Sequence, residues 1–329
     1  MQPLVARTSV SSMPLREALR TAIAELQASD VPSAPLAAEL LLMHVLGRDR
    51  GYICSHPESS LPAESLERYF NLVAERATGK PTQYITGHQE FWGLDFEVTP
   101  HVLIPRPETE HLVEAVLDRE RPPAVDRPGR GPAATPLTGA GLRVVDVGTG
   151  SGCIALALAS ELPGASIFAT DLSRAALEVA RRNARRLGLA DRVCFVETDL
   201  LAGVACGGEG EGFDFVVSNP PYVGGDEIDS VQREVREFEP RMAWGGTGLG
   251  HEIYRRLLPE ALDALRPGGW LAVEVGYTQS DVVSAMAGKG WSEVEIRPDL
   301  AGIPRVVVAR KKAVSTERSA AGKTASAER

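Results

Sequence analysis

The sequence has 329 residues, of which 43% are hydrophobic, and its formal net charge is −9. That length accommodates one large domain and one smaller domain. No run of about 18 apolar residues occurs, which argues against a membrane-spanning helix. The acidic balance argues modestly against a protein that binds nucleic acid through many phosphate contacts.

The spacing of cysteines and histidines argues against disulfide or metal chemistry. Cys54, Cys153, Cys194 and Cys206 show no C-x-x-C spacing, and no two histidines show H-x-x-x-H spacing. We therefore expect reduced thiols and no protein-bound metal. The N-terminal residues lack a basic region followed by an apolar core, so we expect no secretory signal and a cytoplasmic protein.

Residues 1–80 contain apolar stripes at helical spacing, joined by short loops. This pattern predicts a small helical bundle. We interpret it as a substrate-recognition domain, because no catalytic constellation stands out in it. Residues 81–105 change to alternating apolar and polar residues punctuated by Gly87 and Gly93, which predicts a β-hairpin connector.

Strands and helices alternate through residues 106–310, which we predict to form an α/β domain. The apolar runs indicate a largely parallel seven-stranded sheet with helices on both faces. The loop between the last two runs is too short for a crossover helix, so these strands should pair antiparallel. The predicted strands are 142–147, 166–170, 192–197, 213–218, 270–275, 291–297 and 305–310.

Two segments have compositions that cannot bury much surface. Residues 121–141 are rich in proline, glycine and alanine, which predicts a flexible insertion within the α/β domain. Residues 311–329 lack apolar periodicity, and we predict a disordered tail there.

A glycine-rich turn follows the first predicted strand of the sheet. It comprises Gly148, Thr149, Gly150, Ser151 and Gly152, and glycine lets the backbone approach a ligand closely. The spacing departs from the G-x-G-x-x-G fingerprint of dinucleotide binding. It favours S-adenosylmethionine, which carries no pyrophosphate, and we predict that these five residues bind this cofactor.

Acidic residues end the next two predicted strands. Asp171 ends the second strand, where its carboxylate can accept hydrogen bonds from ribose hydroxyls. Asp199 ends the third strand and could accept from the adenine amine, while Leu200 packs on the ring. Taken alone, Asp171 could instead cap the helix that begins near Ser173. Together with the glycine turn, these strand ends favour a cofactor site.

The fourth predicted strand stops at the tetrapeptide Asn219, Pro220, Pro221 and Tyr222, because proline cannot continue a central strand. The Asn219 side-chain oxygen and the Pro220 carbonyl can together accept both N–H bonds of a planar NH2 group. Tyr222 can stack on that group, and the prolines stiffen the backbone. Such an arrangement would hold the nitrogen in line with a sulfonium methyl. It predicts methylation of a planar amino or amide nitrogen and leaves adenine and glutamine both open.

Six segments of the sequence form recognisable motifs, which are EFWGLDF (90–96), LIPRPETE (103–110), DVGTGSG (146–152), SNPPY (218–222), EPRMA (239–243) and DLAGIPR (299–305). With these motifs the sequence resembles the peptide chain release factor glutamine N5-methyltransferases of the HemK/PrmC type. The resemblance covers almost everything from Pro81 to Arg310, and the segments 90–96 and 103–110 are its most specific part.

This resemblance implies a Rossmann-like fold and a substrate, the glutamine in the Gly-Gly-Gln motif of class 1 release factors. It implies that the helical bundle docks on the release factor. It assigns the glycine turn and Asp171 to S-adenosylmethionine, with S-adenosylhomocysteine as product, and residues 219–222 to the glutamine amide. Leu200 stands where the family often has an aromatic residue, so adenine stacking should be weaker. The family usually has Asp-Gly-Gly with an acidic residue before Gly-Leu, and the segment 244–249 (WGGTGL) lacks both acids.

Residues ahead of the α/β domain could line the substrate entrance, above all Phe91 and Arg106, and with less weight Glu90, Glu108 and Thr109. Alternatively, Arg106 and Glu108 form a structural ion pair while Phe91 packs in an interdomain core. The motifs leave these two interpretations equally supported.

Two other functions remain open on the sequence alone. The tetrapeptide also suits an adenine N6-methyltransferase that acts on DNA or RNA, although we find no separate target-recognition domain for it. A non-catalytic binding module of translation is the other, although such a module needs neither the glycine turn nor the tetrapeptide. The leading hypothesis is a monomer that acts on release factors without binding nucleic acid or membranes.

Overall fold

The computed structural model describes residues 12–120, 137–204, 212–246 and 248–313. The predicted insertion lies outside the described residues from 121 to 136, and the predicted tail lies outside them from 314 onward. Cys206 and Thr247 also lie outside them. The last strand ends at Lys311, so the predicted tail overlaps the sheet by one residue.

Four helices and one short pair of strands form an N-terminal helical bundle. Its buried apolar residues include members of all four helices, and the Tyr69 hydroxyl donates to the Ala38 carbonyl at 3.0 Å inside this core. The elements are β1 (Ser12–Pro14), α1 (Leu15–Ala28), α2 (Ala34–Leu46), α3 (Arg50–Ser55), β2 (Ser60–Pro62) and α4 (Ala63–Ala77), with β1 and β2 antiparallel.

A short helix and a tight hairpin connect the bundle to the sheet. Helix α5 (Thr82–Thr86) precedes strands β3 (His88–Phe91) and β4 (Leu94–Glu97), which pair antiparallel. Both residues of the two-residue turn have positive φ, 56° at Trp92 and 70° at Gly93. That combination is the hairpin turn whose twist matches its strands. The structure therefore has a shorter hairpin than the alternating pattern predicts, preceded by a helix.

The α/β part is a seven-stranded mixed sheet with helices on its faces, so the predicted fold class is confirmed. The strand order is β10-β11-β9-β8-β5-β6-β7, and the predicted antiparallel pairing of the last two strands is also confirmed. The strands are β5 (Arg143–Val147), β6 (Ser166–Asp171), β7 (Val193–Glu197), β8 (Phe213–Ser218), β9 (Leu265–Glu274), β10 (Trp291–Pro298) and β11 (Pro304–Lys311). The helices are α6 (Glu110–Glu120), α7 (Cys153–Glu161), α8 (Arg174–Arg186), α9 (Arg233–Phe238), α10 (Arg241–Trp244), α11 (Glu252–Ala264) and α12 (Ser280–Met286).

The central strands are buried on both faces, which explains their unbroken apolar runs. Every residue of β8 is buried. Phe215 faces the cluster that contains α6 and α7, and Val216 faces the cluster that contains α11. Burial of each such side chain contributes about 1.5–3 kcal/mol. These two cores fix the register, and the register fixes which strand ends meet.

Candidate active site

The carboxyl ends of β5, β6, β8 and β9 meet at one edge of the sheet. Val147 at the end of β5 pairs with Thr170 of β6 on one side and with Ser218 of β8 on the other. Ser218 in turn pairs with Val273 of β9. The glycine turn, Asp171 and the tetrapeptide therefore begin side by side, where ligands bind in open α/β sheets. A cavity of about 230 Å³ lies there.

The glycine turn lines this cavity with four of its five residues, Gly148 to Ser151. Gly148 and Gly150 have φ of 74° and 56°, and a Cβ added at either would meet no atom within 4 Å. The turn is thus left-handed and open to a ligand. Gly152 is different, because a Cβ there would lie 3.1 Å from the Ala180 Cβ. It allows α7 to pack closely on α8.

Asp146 lies beneath the turn and is fully buried. No role was predicted for it from the sequence. Its Oδ2 accepts from the Thr149 hydroxyl at 2.6 Å and from the Ala155 N–H at 3.2 Å. Its Oδ1 has no hydrogen-bond partner among the described residues. Burial raises the pKa of Asp146 to about 7, against the opposing effect of these two hydrogen bonds. An unpaired buried carboxylate oxygen beside an open turn favours a cationic or donor ligand.

Asp171 lines the cavity and braces the turn. One carboxylate oxygen accepts from the Gly150 N–H at 2.9 Å, and the other accepts from the Ser173 N–H at 2.8 Å. Burial raises the pKa of Asp171, while the Ser173 and Gly150 N–H groups oppose that shift. Each oxygen retains a lone pair. Asp171 can therefore bond the backbone at the start of α8 and still accept a hydrogen bond from a ligand.

Asp199 and Leu200 also line the cavity. The Asp199 carboxylate pairs with Arg256 of α11 at 2.7 Å, and Arg256 lines the cavity as well. Leu200 has a φ of 50°, and its carbonyl accepts from the Thr170 hydroxyl at 3.0 Å. Arg256 was not predicted, because its partner Asp199 lies 57 positions away along the chain.

The tetrapeptide belongs to a hydrogen-bonded chain that ends on a buried acid. Asn219 Nδ2 donates to Thr109 Oγ1 at 3.1 Å, and Thr109 Oγ1 donates to Glu274 Oε2 at 2.6 Å. The Tyr222 hydroxyl donates to the other oxygen, Glu274 Oε1, at 3.2 Å. Asn219 and Pro221 line the cavity, whereas Pro220 is buried.

Glu274, the last residue of β9, is a site residue that the sequence analysis missed. It is 2% exposed. Burial raises its pKa, while the hydrogen bonds from Thr109 and Tyr222 and the charge of Arg305 oppose the shift. It stands at the end of a buried apolar run without a recognisable motif. Its role is visible only once β9 is placed beside β8.

Arg106 and Phe91, the two predicted entrance residues, occupy different environments. Arg106 lines the cavity and also a second cleft between α2 and α9, and it pairs with the buried Glu239 at 2.5 Å. Its ion-pair partner is therefore Glu239 and not Glu108. Phe91 is 1% exposed and packs edge-on against Phe96 in the hydrophobic core. In this conformation its ring faces no cavity.

Asn183 of α8 ties the hairpin to the glycine turn. Its Nδ2 donates to the Ser151 carbonyl at 2.9 Å and to the Glu97 carbonyl at 3.0 Å, and its Oδ1 accepts from the Glu97 N–H at 2.7 Å. This buried amide is fully used by the backbone. The hairpin that carries the motif 90–96 is therefore connected to the glycine turn through Glu97, the last residue of β4, and Asn183.

Comparison with known proteins identifies the family. The description "PrmC N-terminal domain" matches residues 17–87, and "Methyltransferase small domain" matches residues 135–289. The release factor glutamine methyltransferase of Koribacter versatilis is 48% identical over 299 residues, which cover 91% of this chain and 99% of that protein. This chain belongs to the release factor glutamine methyltransferase family.

Further relatives agree with this membership. The release factor glutamine methyltransferase of Moorella thermoacetica is 41% identical, over 91% of this chain and 99% of that protein. Among solved structures, the hMettl16 catalytic domain in complex with MAT2A 3'UTR hairpin 1 has a TM-score of 0.51 at 18% identity, over 75% of this chain and 82% of that one. That likeness shows the methyltransferase fold alone. The predicted family is confirmed.

Membership in a methyltransferase family makes this chain an enzyme that transfers methyl groups to glutamine. Within the described ranges, no helix is long and apolar enough to cross a membrane. The same ranges contain no group of three or more His, Cys, Asp or Glu residues placed to hold a metal ion. The segment 244–249 is the one that departs from the family pattern. Its backbone bonds to residues after the tetrapeptide, since the Gly246 N–H donates to the Val223 carbonyl at 2.8 Å.

Proposed function

We propose that this protein transfers the methyl group of S-adenosylmethionine to the side-chain amide nitrogen of the glutamine in the Gly-Gly-Gln motif of class 1 release factors. One observation carries the proposal within the family. Asn219 lines the cavity beside the glycine turn, and its Nδ2 is occupied by Thr109. Oδ1 is therefore the atom left to accept a hydrogen bond from an incoming amide.

The cofactor side of the cavity fits S-adenosylmethionine. The unpaired Asp146 Oδ1 offers an acceptor beneath the turn, and Gly148 and Gly150 leave room above it. Asp171 keeps a lone pair on each oxygen for ribose hydroxyls, and Leu200 offers an apolar surface for the adenine. When bound, this cofactor supplies the sulfonium methyl group and leaves as S-adenosylhomocysteine. Asp199 can contact the adenine amine only if it shares its carboxylate with Arg256.

The acceptor side holds the glutamine amide. Asn219 Oδ1 and the Pro220 carbonyl accept its two N–H bonds, which fixes the nitrogen toward the methyl donor. These hydrogen bonds strengthen as the N–C bond forms, because the N–H protons become more acidic in the transition state. The proton that leaves passes to water, and no strong general base is required. The Tyr222 hydroxyl is held by Glu274, and Tyr222 does not line the cavity in this conformation.

The N-terminal bundle provides the recognition surface for the release factor. Residues 1–80 form the recognition domain, 81–105 the connector and 106–310 the catalytic domain in this proposal. The cleft between α2 and α9 is lined by Leu36, Arg76 and Arg106 and opens next to the catalytic cavity. Arg76 bridges the two parts through a 2.8 Å ion pair with Glu234. We propose a cytoplasmic monomer that binds one release factor along this cleft.

A transfer assay tests the proposal against both rival functions. Purified protein is incubated with methyl-labelled S-adenosylmethionine and either a class 1 release factor, the same factor with the Gly-Gly-Gln glutamine changed to alanine, or DNA and RNA. We expect label on the intact factor alone. Label on nucleic acid would support adenine methylation, and binding of the factor without any label would support a non-catalytic module.

A further inference from the structure

We propose that Thr109 and Glu274 are positioning residues that set the orientation of the Asn219 amide, so that its oxygen and not its nitrogen meets the substrate. The inference rests on the proposed function and adds two residues to it. Thr109 lines the cavity beside Asn219, whereas Glu274 does not, and the proposal gives neither residue a contact with the methyl group or the substrate amide. They act through the hydrogen-bonded chain that joins Glu274 to Asn219.

The direction of each hydrogen bond in this chain follows from its last member. A carboxylate only accepts hydrogen bonds, so the Thr109 hydroxyl must donate its single proton to Glu274 Oε2. Thr109 Oγ1 is then an acceptor toward Asn219, and only Nδ2 can donate to it. The amide atoms of an asparagine are interchangeable in shape, and their hydrogen-bond partners decide which is which.

The wrong orientation would block the reaction. A flipped Asn219 would point its NH2 group at the NH2 group of the substrate, and two donors cannot hydrogen-bond to each other. The substrate amide would lose one of its two acceptors. Because a side-chain amide rotates readily when nothing holds it, the chain from Glu274 removes an unproductive population before the substrate arrives.

The anchor of the chain is rigid and buried. Thr109 and Glu274 are each 2% exposed, and the Thr109 N–H is held by the Arg106 carbonyl at 3.1 Å. The Tyr254 hydroxyl donates to the Glu274 backbone carbonyl at 2.8 Å. A buried carboxylate is costly unless donors satisfy it. Here the Thr109 and Tyr222 hydroxyls each donate to one oxygen of Glu274, so the carboxylate fixes the direction of both hydroxyl protons.

The three asparagines of the sequence, Asn71, Asn183 and Asn219, allow a direct test by NMR. In protein labelled with ¹⁵N-asparagine, Asn71 is an exposed reference and Asn183 is a buried, hydrogen-bonded reference. We expect one Asn219 Nδ2 proton to exchange slowly with water in the wild type. Thr109→Val, which keeps the shape and removes the hydroxyl, should bring this exchange close to that of Asn71, and Thr109→Ser should restore protection.

The same variants are compared in the transfer assay. Thr109→Val should lower kcat by about tenfold or more at an unchanged cofactor dissociation constant, and Thr109→Ser should return to within about threefold of the wild type. Thr86→Val, which removes a hydroxyl that bonds to carbonyls of its own helix α5 and does not line the cavity, should leave kcat unchanged. Unaltered Asn219 exchange in Thr109→Val, or a kcat equal to that of the wild type, would overturn the inference.

The two proposals fail in different ways. If the wild type leaves the release-factor glutamine unlabelled, the proposed function is wrong, and the exchange of the Asn219 amide still decides the orientation. If the wild type labels the glutamine and Thr109→Val shows equal exchange and equal kcat, the function stands and the positioning role is wrong.

Discussion

Two buried acids flank the candidate site, and they are satisfied to different degrees. Asp146, beneath the glycine turn, has one oxygen bonded and one without a partner among the described residues. Glu274, behind the tetrapeptide, has a donor on each oxygen. The cofactor side is thus incomplete until a ligand arrives, whereas the acceptor side is already organised. We infer that binding the donor and orienting the acceptor are separable tasks of different side chains.

The largest effect that tests this separation is expected for Asn219→Ala. Loss of a preorganised hydrogen-bonding group at a reacting centre lowers kcat by about 100- to 1,000-fold, and we expect this range. The cofactor dissociation constant, measured by calorimetry, should change little. A parallel loss of cofactor affinity would mean that Asn219 serves the donor side, and the separation would fail.

Asp171→Ala should have the opposite profile. Loss of the carboxylate removes the brace on Gly150 and the ribose contact, and we expect a cofactor dissociation constant raised by about ten- to a hundredfold. The rate at saturating cofactor should stay close to that of the wild type. Asp191→Ala, an exposed aspartate beyond α8, is the matched control. Equal cofactor affinity in both variants would remove Asp171 from the cofactor site.

Glu274→Gln should lower kcat by about tenfold and change its pH dependence. The pKa of Glu274 is raised by burial, so the wild-type rate should fall as the pH drops through this raised pKa and Thr109 loses its anionic acceptor. The variant has no proton to gain and should lack this acid limb, as rate measurements across pH would show.

The groups that face Glu274 allow a control on this prediction. Tyr222 and Tyr254 have pKa values raised by burial and stay neutral in acid, and Arg305, with a raised pKa, stays charged. Glu108 is the other carboxyl whose charge acts on Glu274. Glu108→Gln should therefore keep the acid limb. Its loss in that variant, or its persistence in Glu274→Gln, would assign the titration elsewhere.

Asp146→Asn should change the rate least of these variants, and its effect is expected in the stability of the protein. The pKa of Asp146 rises from 3.8 to about 7 on folding, so the folded state holds its proton more tightly. This tighter proton binding stabilises the folded state fully below pH 3.8, and the stabilisation is lost as the pH rises through about 7. Each pKa unit corresponds to about 1.36 kcal/mol. Without cofactor, the free energy of unfolding of the wild type should fall relative to Asp146→Asn across this window, and chemical denaturation at several pH values measures it.

The sequence predicts the sheet and its strand-end residues well, because both follow from local patterns. Buried runs such as that of β8 are recognisable by their apolar residues. The glycine turn and the tetrapeptide are recognisable by their glycine and proline residues. Residues whose roles depend on distant partners are not visible in this way. Glu274 meets Thr109 across 165 positions of sequence, and Arg256 meets Asp199 across 57.

Phe91 is the opposite case, a predicted entrance residue that lies in the core. The motif around it resembles part of the family pattern, and the sequence could not decide between a substrate contact and a core position. Its 1% exposure places the ring in the core, where it supports the hairpin and α6. A motif can thus be specific to a family because it is needed for packing.

Tandem mass spectrometry can locate the transferred methyl group within the release factor. After incubation with the wild-type protein and S-adenosylmethionine, we expect one added methyl on the side-chain amide nitrogen of the Gly-Gly-Gln glutamine. In the same time Asn219→Ala should add about 100- to 1,000-fold less. A methyl group on another residue, or an unmodified glutamine with fully active cofactor binding, would contradict the proposed function.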